Sequence, residues 1–213
     1  MNDAKITKTS GAKPIIIAIC SLLLAISAAG QSFHDEIETY RAKYKADFLT
    51  DENSPLKKKD LKYLRFYKPD ETYKVTCTFE QVLDGEPFEM PTYSGKTKTY
   101  MVFGKLHFTL HGQKMSLNVY RSLALAKIPK YQDYLFVPFM DLTNADETYG
   151  GGRYLDLRMG ELNAEPIYLD FNKAYNPYCA FSDGYSCPVP PQANHLKVKI
   201  EAGEQNFAKG DLH

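Results

Sequence analysis

The hydrophobic pattern changes character twice along the chain. Ile15 to Ile26 is a largely apolar run of twelve residues. Lys5, Lys8 and Lys13 precede it, and the small residues Ser27, Ala28, Ala29 and Gly30 follow. A basic head, a short apolar stretch and a small-residue cleavage region make up a secretory signal. The run is too short for a membrane span, which needs roughly 20 apolar residues. Residues 1–30 are therefore expected to be a cleaved signal peptide. The pattern then turns helical. Phe33, Ile37, Tyr40, Tyr44 and Phe48 recur at spacings of four, three, four and four, which predicts a helix over Ser32 to Leu49 with Ser32 as its N-cap and Asp35 three residues on. A second short helix is expected at Ser54-Pro55, since Pro suits the first helical position. Leu56, Leu61 and Leu64 would be its apolar contacts, and Lys57, Lys58 and Lys59 a solvated face.

From Tyr73 onward the period is two. Val75, Cys77 and Phe79 alternate with Lys74, Thr76, Thr78 and Glu80, which reads as a half-buried strand. A hairpin follows, with Gly112-Gln113 read as a two-residue loop. That register pairs Leu110 with Met115, Phe108 with Leu117 and Leu106 with Val119. Further strands are expected at Leu135 to Phe139, Arg153 to Leu157, Ile167 to Phe171 and Leu196 to Ile200. Pro138 predicts that its strand ends there or lies at an edge. The fold class is mainly β (α+β): a single antiparallel barrel- or sandwich-like domain over 71–213, preceded by one or two helices in a segment spanning 31–70.

Composition narrows the function classes. Over 213 residues, 26 basic side chains balance 26 acidic ones. Removing residues 1–30 takes away three Lys and one Asp, leaving a net charge of −2. No broad basic field remains for nucleic acid, and no second apolar stretch is long enough to span a membrane. The chain has 16 Tyr and 12 Phe but no Trp, which makes tyrosine the only large side chain combining an aromatic body with a polar tip. The phosphate-binding GxxxxGK[ST] pattern, GxGxxG, HExxH, GxSxG and CxxC are all absent. His107 and His111 lie four apart on a strand, about 13 Å, too far to share one ion.

Candidate chemistry concentrates in two polar blocks, DLTNADETYGGGRYLD (141–156) and DFNKAYNPYC (170–179). Asp141, Glu147 and Asp170 are candidate acid–base groups or ligands of a hard cation. Arg153 could hold a carboxylate or an anionic ligand bidentately. Thr143, Tyr149, Gly150, Tyr154, Asp156, Asn172, Tyr175 and Asn176 are candidate binding residues. The bland alternative is that glycines turn the chain, Arg153 pairs with a carboxylate and the amides cap loops. Cys179 and Cys187 are candidates for a disulfide in an oxidising compartment. Free thiols, a nucleophilic Cys179, or a zinc site with Cys77 and His195 remain alternatives. Cys77 alternates with apolar neighbours and reads as a buried thiol.

The segments LFVPFMDLTNADETYGGGRYLDL, LDFNKAYNPYCAF, CPVPP and IEAGE resemble the signature blocks of the bacterial domain-of-unknown-function family 1684. The FHDEIETYRAKYKADFL helix and the SPL at 54–56 are similar to that family's opening. The resemblance runs from about Phe33 to Glu204. It implies that both polar blocks, with Cys179 and Cys187, are family hallmarks, but it implies no activity. The family's usual PPENxL tail is replaced here by PPQANHL, one residue longer, so no fixed role passes to His195. Some members lack an export signal, which implies that a disulfide is not obligatory and favours a packing or active-site role for Cys179.

Taken together, the sequence predicts an exported protein, periplasmic or surface-associated, with a site for a small polar or anionic ligand. A hydrolase working through carboxylates, with or without a divalent cation, is one reading. A non-catalytic cell-envelope module binding a ligand or protein is the alternative, and a purely structural role is the third.

Overall fold

The computed structural model describes the backbone of residues 13–209 and the side chains of residues 32–209. The segment read as an export signal lies outside the fully described residues. Helix α1 spans Lys13–Thr50. Ser32 is therefore inside a continuous helix, and the expected N-cap is corrected: the backbone stays helical through Gly30, so the stripe continues the preceding turn. The stripe itself is buried at Phe33, Ile37 and Phe48, with Tyr40 and Tyr44 half-buried.

The second expected helix is also corrected. Ser54 Oγ accepts from the N–H of Leu56 and donates to its carbonyl, so the side chain closes a turn and competes with a helix. Only a single 3-10 turn forms, at Leu61–Tyr63. Leu56 and Leu64 nevertheless bury against Phe48 and Phe181, and Lys57 to Lys59 stay exposed.

Seven strands form one antiparallel sheet. They are β1 (Lys74–Gln81), β2 (Phe88–Pro91), β3 (Thr97–Leu110), β4 (Gln113–Ser122), β5 (Tyr134–Phe139), β6 (Arg153–Arg158) and β7 (Ile167–Asp170). The order is β6-β5-β4-β3-β1-β7, with β2 also on β3. The sheet curls into a half-barrel. Tyr154 of β6 and Tyr175, just past β7, exchange N–H···O bonds of 2.9 and 3.0 Å, so opposite edges meet at one end. The main core fills the concave side with Leu106, Leu117, Val119, Leu135, Val137 and Leu169 among others.

The hairpin turns one residue earlier than its sequence pattern predicts. His111 and Gly112 occupy the loop with φ of 50° and 74°, the doubly positive combination that matches strand twist. Leu110 then pairs with Gln113, Phe108 with Met115 and Leu106 with Leu117. The shift is two residues, so every side chain keeps its face, and periodicity cannot detect it.

Strand β3 contains a bulge between Val102 and Gly104. Its even-numbered residues are apolar on both sides of the bulge, but they serve different faces. Leu106, Phe108 and Leu110 enter the main core, whereas Tyr100 joins a second cluster with Met90, Tyr120, Phe136 and Tyr154. One extra residue reverses the alternation and lets a single strand build both the core and a second aromatic face. Gly104 is required there, because a Cβ would overlap the Phe79 ring and stand 2.7 Å from the Glu80 carbonyl oxygen. Gly104→Ala is expected to cost about 1–3 kcal/mol, the usual range for overpacking, measured by denaturant unfolding. A loss below about 0.5 kcal/mol, the scatter of neutral surface changes, would contradict this account of the bulge.

Two further strand expectations change. Pro138 lies within β5 rather than at its end, paired with Tyr154 of β6. Its other side carries no ladder, because β4 meets β5 only at Tyr120–Phe136. Asn194 fills that opening, donating to the carbonyls of Pro138 and Asn118 and accepting from the Asn118 N–H. Leu196 to Ile200 is not a strand. Leu196, Val198 and Ile200 are buried as the alternation implies, but only an isolated bridge forms, Met140 with His195. Backbone bonds run from the Leu196 N–H to Met140 and from the Leu142 N–H to Val198, and a side-chain network completes the hold on the segment.

Candidate functional site

Arg153 is the centre of that network. It lies on the core face of β6 and is fully buried. Its guanidinium donates to the carbonyls of Ile200, Ala202 and Glu204 and to Asp141 Oδ2 at 2.8 Å. It also lies 5.4 Å from the Phe139 ring centroid. In an extended chain, alternate carbonyls point the same way, which aligns those of Ile200 and Ala202. The bend at Gly203, with φ of +79°, leaves the Glu204 carbonyl within reach of the same fork. Asp141 Oδ1 accepts from the N–H and hydroxyl of Thr143 and from the N–H of Ile200. Arginine and aspartate thus add to the few backbone bonds that pin the last buried segment to the sheet.

This placement settles the geometry of most sequence candidates. Asp141, Thr143 and Arg153 are buried and bonded to other protein groups, with only the Arg153 Nε lacking a partner among the described residues, so they are not presented to a ligand. Asp170 Oδ1 accepts from the N–H and side-chain amide of Asn172. Asn172 in turn clasps both backbone groups of Asp70 at 2.8 Å. Asn176 donates to the Gln205 carbonyl. Glu147 is held by Tyr67 at 2.9 Å and Lys199 at 2.6 Å, and the Lys199 ammonium, ahead of the Tyr67 hydroxyl, keeps its carboxyl below the ordinary range. The three carboxylates expected to act as acid and base therefore do not converge. Among the described residues, no three His, Cys, Asp or Glu side chains gather around one ion.

The glycine triplet turns the chain in a crowded place. Gly152 has φ of +84°, and a Cβ there would lie 2.6 Å from the Phe139 carbonyl oxygen. Tyr149 and Gly150 border a broad groove of about 1120 Å³, shared with Arg65, Phe207 and the 179–185 loop. Cys179 and Cys187 form a disulfide with their Cα atoms 6.3 Å apart, and Cys77 is a buried free thiol. His195 Nε2 lies 3.0 Å from the Pro190 carbonyl oxygen, away from any cysteine partner. His107 sits 2.8 Å from Glu80.

Both polar blocks do meet in one place. A cleft of about 710 Å³ lies on the second aromatic face of the sheet. Alternation sets its floor: Lys98 and Tyr100 from β3, Tyr134 and Phe136 from β5, and Tyr154 and Asp156 from β6. The segment after β7 adds Tyr175 and Tyr178, and α1 closes one wall with Tyr40 and Tyr44. The rings stand at steep angles to one another. Phe136 and Tyr154 meet at 77° and Tyr154 and Tyr175 at 89°.

Asp156 is the polar focus of this cleft. Its Oδ1 accepts from the hydroxyls of Tyr134 and Tyr175, each at 2.7 Å. Its Oδ2 takes no hydrogen bond from the described residues, and the side chain remains open to solvent. Protein nonetheless surrounds it on almost every side, as for a group at the base of a deep pocket. That desolvation raises its proton affinity above an ordinary carboxyl, outweighing the two phenol bonds. Most other polar tips are occupied: Tyr40 on the Lys173 carbonyl, Tyr44 on Glu204, Tyr154 on the Pro188 carbonyl and Tyr178 on Asp51. Tyr100 makes no such bond, and burial with nearby Asp156 pushes its phenol up to about 12.

Behind the cleft, Glu204 is wholly buried. Its Oε2 accepts from Tyr44 and from the N–H of Asn176, while Oε1 has no partner. Desolvation raises its carboxyl to about 8. Sequence reading missed Lys98, Tyr100, Tyr134 and Glu204. The first three carried a readable signal, since 98 and 100, 134 and 136, and 154 and 156 share the parity of one sheet face. Glu204 carried none beyond membership of the IEAGE block.

This curled sheet with one preceding helix defines a β-rich domain with an aromatic cleft. The chain belongs to the family described as protein of unknown function DUF1684, which it matches over residues 59–205. It also resembles an uncharacterised protein of Haloarcula marismortui, whose structure was determined in solution by NMR. The two share 28% identity with a TM-score of 0.63, over 85% of this chain and 98% of the other. No curated protein matches the chain. Among the described residues, no helix is long and apolar enough to cross a membrane.

Proposed function

We propose that this is an exported ligand-binding domain of the cell envelope whose cleft takes a small organic molecule. Asp156 receives a donor group of the ligand, and the aromatic walls receive its apolar body. One observation carries the reading: Oδ2 of Asp156 takes no hydrogen bond from the described residues, and the side chain lines an aromatic cavity. Pockets of roughly 300–1,000 Å³ with apolar walls and a few convergent polar groups are the usual form of small-molecule sites. Asp141, Glu147 and Asp170 do not enter this reading, because their oxygens are committed to structural partners or lie outside the cleft.

A catalytic version is the second reading. A carboxyl with raised proton affinity in a cleft is suited to general acid–base work, and Asp156 is the group that combines both properties. In this reading Asp156 exchanges a proton with the bound molecule, and Tyr134 and Tyr175 fix the carboxyl's orientation.

The test is a melting-temperature screen of the protein against a chemically broad small-molecule library. Compounds that raise the melting temperature are then titrated against wild type and Asp156→Asn. Asparagine keeps an acceptor for Tyr134 and Tyr175 but loses the charge. Affinity is expected to fall roughly 10- to 100-fold, the worth of a hydrogen bond to a charged group. Equal affinity in both proteins, or no stabilising compound at all, would remove the cleft from consideration. Turnover of a stabilising compound, lost in Asp156→Asn, would select the catalytic version.

A further inference from the structure

The charges on the cleft walls do not all count equally. Lys43 is paired with Asp47 at 2.7 Å. Lys173 is paired with Glu36 at 2.9 Å and lies 3.7 Å from Asp170. Two lining groups make no ion pair among the described residues: the carboxylate of Asp156, which feels only the attraction of Arg158, itself paired with Asp133 at 2.6 Å, and the ammonium of Lys98. Lys98 makes no hydrogen bond or ion pair there, and burial alone lowers its proton affinity. The two sites are of opposite sign, yet they do not neutralise each other.

The topology explains why. Asp156 is on β6 and Lys98 on β3, with β5 and β4 between them. Three strand spacings amount to about 14 Å in a flat sheet, and the curl shortens this. Aromatic side chains from β3, β5 and β6 fill the interval. Each charged group is partly desolvated and makes no ion pair, although the two phenols offset part of the cost at Asp156. A bound molecule that brings the opposite charge to each end would relieve both penalties at once. A ligand with only a neutral donor would relieve part of the penalty at Asp156 and none at Lys98. The tyrosine faces near Asp156 add attraction for a cation.

Resting on the ligand-cleft reading, we infer that the cleft binds a dipolar ligand. Its ammonium group sits at Asp156 between Tyr134 and Tyr175, its acid group at Lys98, and its aromatic or apolar body between them. A short peptide with free ends is the simplest molecule of this kind, since three residues span about 10 Å.

The test uses unblocked tripeptides with a central tyrosine or phenylalanine. The same tripeptides are also prepared N-acetylated and, separately, C-amidated. Binding is measured by calorimetry to the full chain, to Asp156→Asn and to Lys98→Met, each first checked for an unchanged melting temperature. Acetylation and amidation are each expected to weaken binding to the wild type by at least tenfold. The acetylation penalty should vanish in Asp156→Asn, and the amidation penalty should vanish in Lys98→Met. Lys98→Glu, an exposed change that leaves the fold intact, should reverse the preference and favour the amide. Blocked peptides binding as tightly as free ones would overturn the dipolar inference. So would a protein that binds neutral library compounds through Asp156 but no tripeptide, and in that case the cleft reading stands. If neither peptides nor library compounds bind, both fall.

Discussion

Arg153→Met is expected to lose about 3–5 kcal/mol of stability, the usual cost of breaking a buried ion pair by removing one partner. That is a large share of the roughly 5–15 kcal/mol that holds a domain of ordinary size. The loss does not come from charge attraction alone. Methionine fills much of the arginine stem's volume but leaves the Asp141 carboxylate buried without its cation. It also strips a donor from three carbonyls of the last buried segment, at Ile200, Ala202 and Glu204. The segment has only scattered backbone bonds, such as the Tyr67 N–H to Gly203 and the Glu204 N–H to Ala174, in place of a ladder, so its end should open first. Urea unfolding measures the loss, and hydrogen exchange at 198–204 locates it. The double variant Arg153→Met, Asp141→Asn should recover part of the deficit, because the orphaned charge is then gone. A single-variant loss under about 1 kcal/mol, the range of exposed pairs, would show that this arginine is not the clasp described.

Glu204→Gln is expected to remove a pH dependence from the protein. The unfolded carboxyl releases its proton near its ordinary value of 4.5, whereas the folded one holds it to about 8. Between those values the folded state carries one more proton than the unfolded state, so wild-type stability falls as pH rises. Each pH unit of that interval is worth about 1.4 kcal/mol, which makes the cumulative effect on the order of 4 kcal/mol by pH 8. Glutamine preserves the acceptor for Tyr44 and Asn176 and cannot ionise. The variant should therefore match the wild type near pH 5 and become progressively more stable than it up to pH 8. Parallel melting curves across that range would refute the assignment of a protonated Glu204. The cleft shares in this, since Tyr44 lines it and anchors α1 to Glu204.

Much of this molecule is legible along the chain. The stripe of α1, the alternation in β1, β3, β5 and β6, and the burial of Leu196, Val198 and Ile200 all follow from period and composition. These are local properties: a helix or strand must bury its apolar side, and the order of residues says which side that is. The tyrosine richness without tryptophan also proved informative, because many of those tyrosines line a single cleft.

What local pattern could not supply is parity and partnership. The hairpin slipped by two residues, which leaves every face unchanged. The bulge at Val102–Gly104 reversed a face while the apolar alternation ran on unbroken. The polar blocks looked uniform in sequence, yet neighbouring positions have opposite fates. Arg153 points into the core and Asp156 into the cleft, because odd and even positions of β6 face opposite sides of the sheet. The sequence by itself determined which residues are polar, where most of the strands run and where the polar residues cluster. The tertiary structure decided which polar groups are spent on each other: contacts such as Arg153 with residues 200–204, or Asn172 with Asp70, join positions far apart in the chain. Only once those pairings were satisfied did Asp156 and Lys98 emerge as the cleft charges that make no ion pair among the described residues.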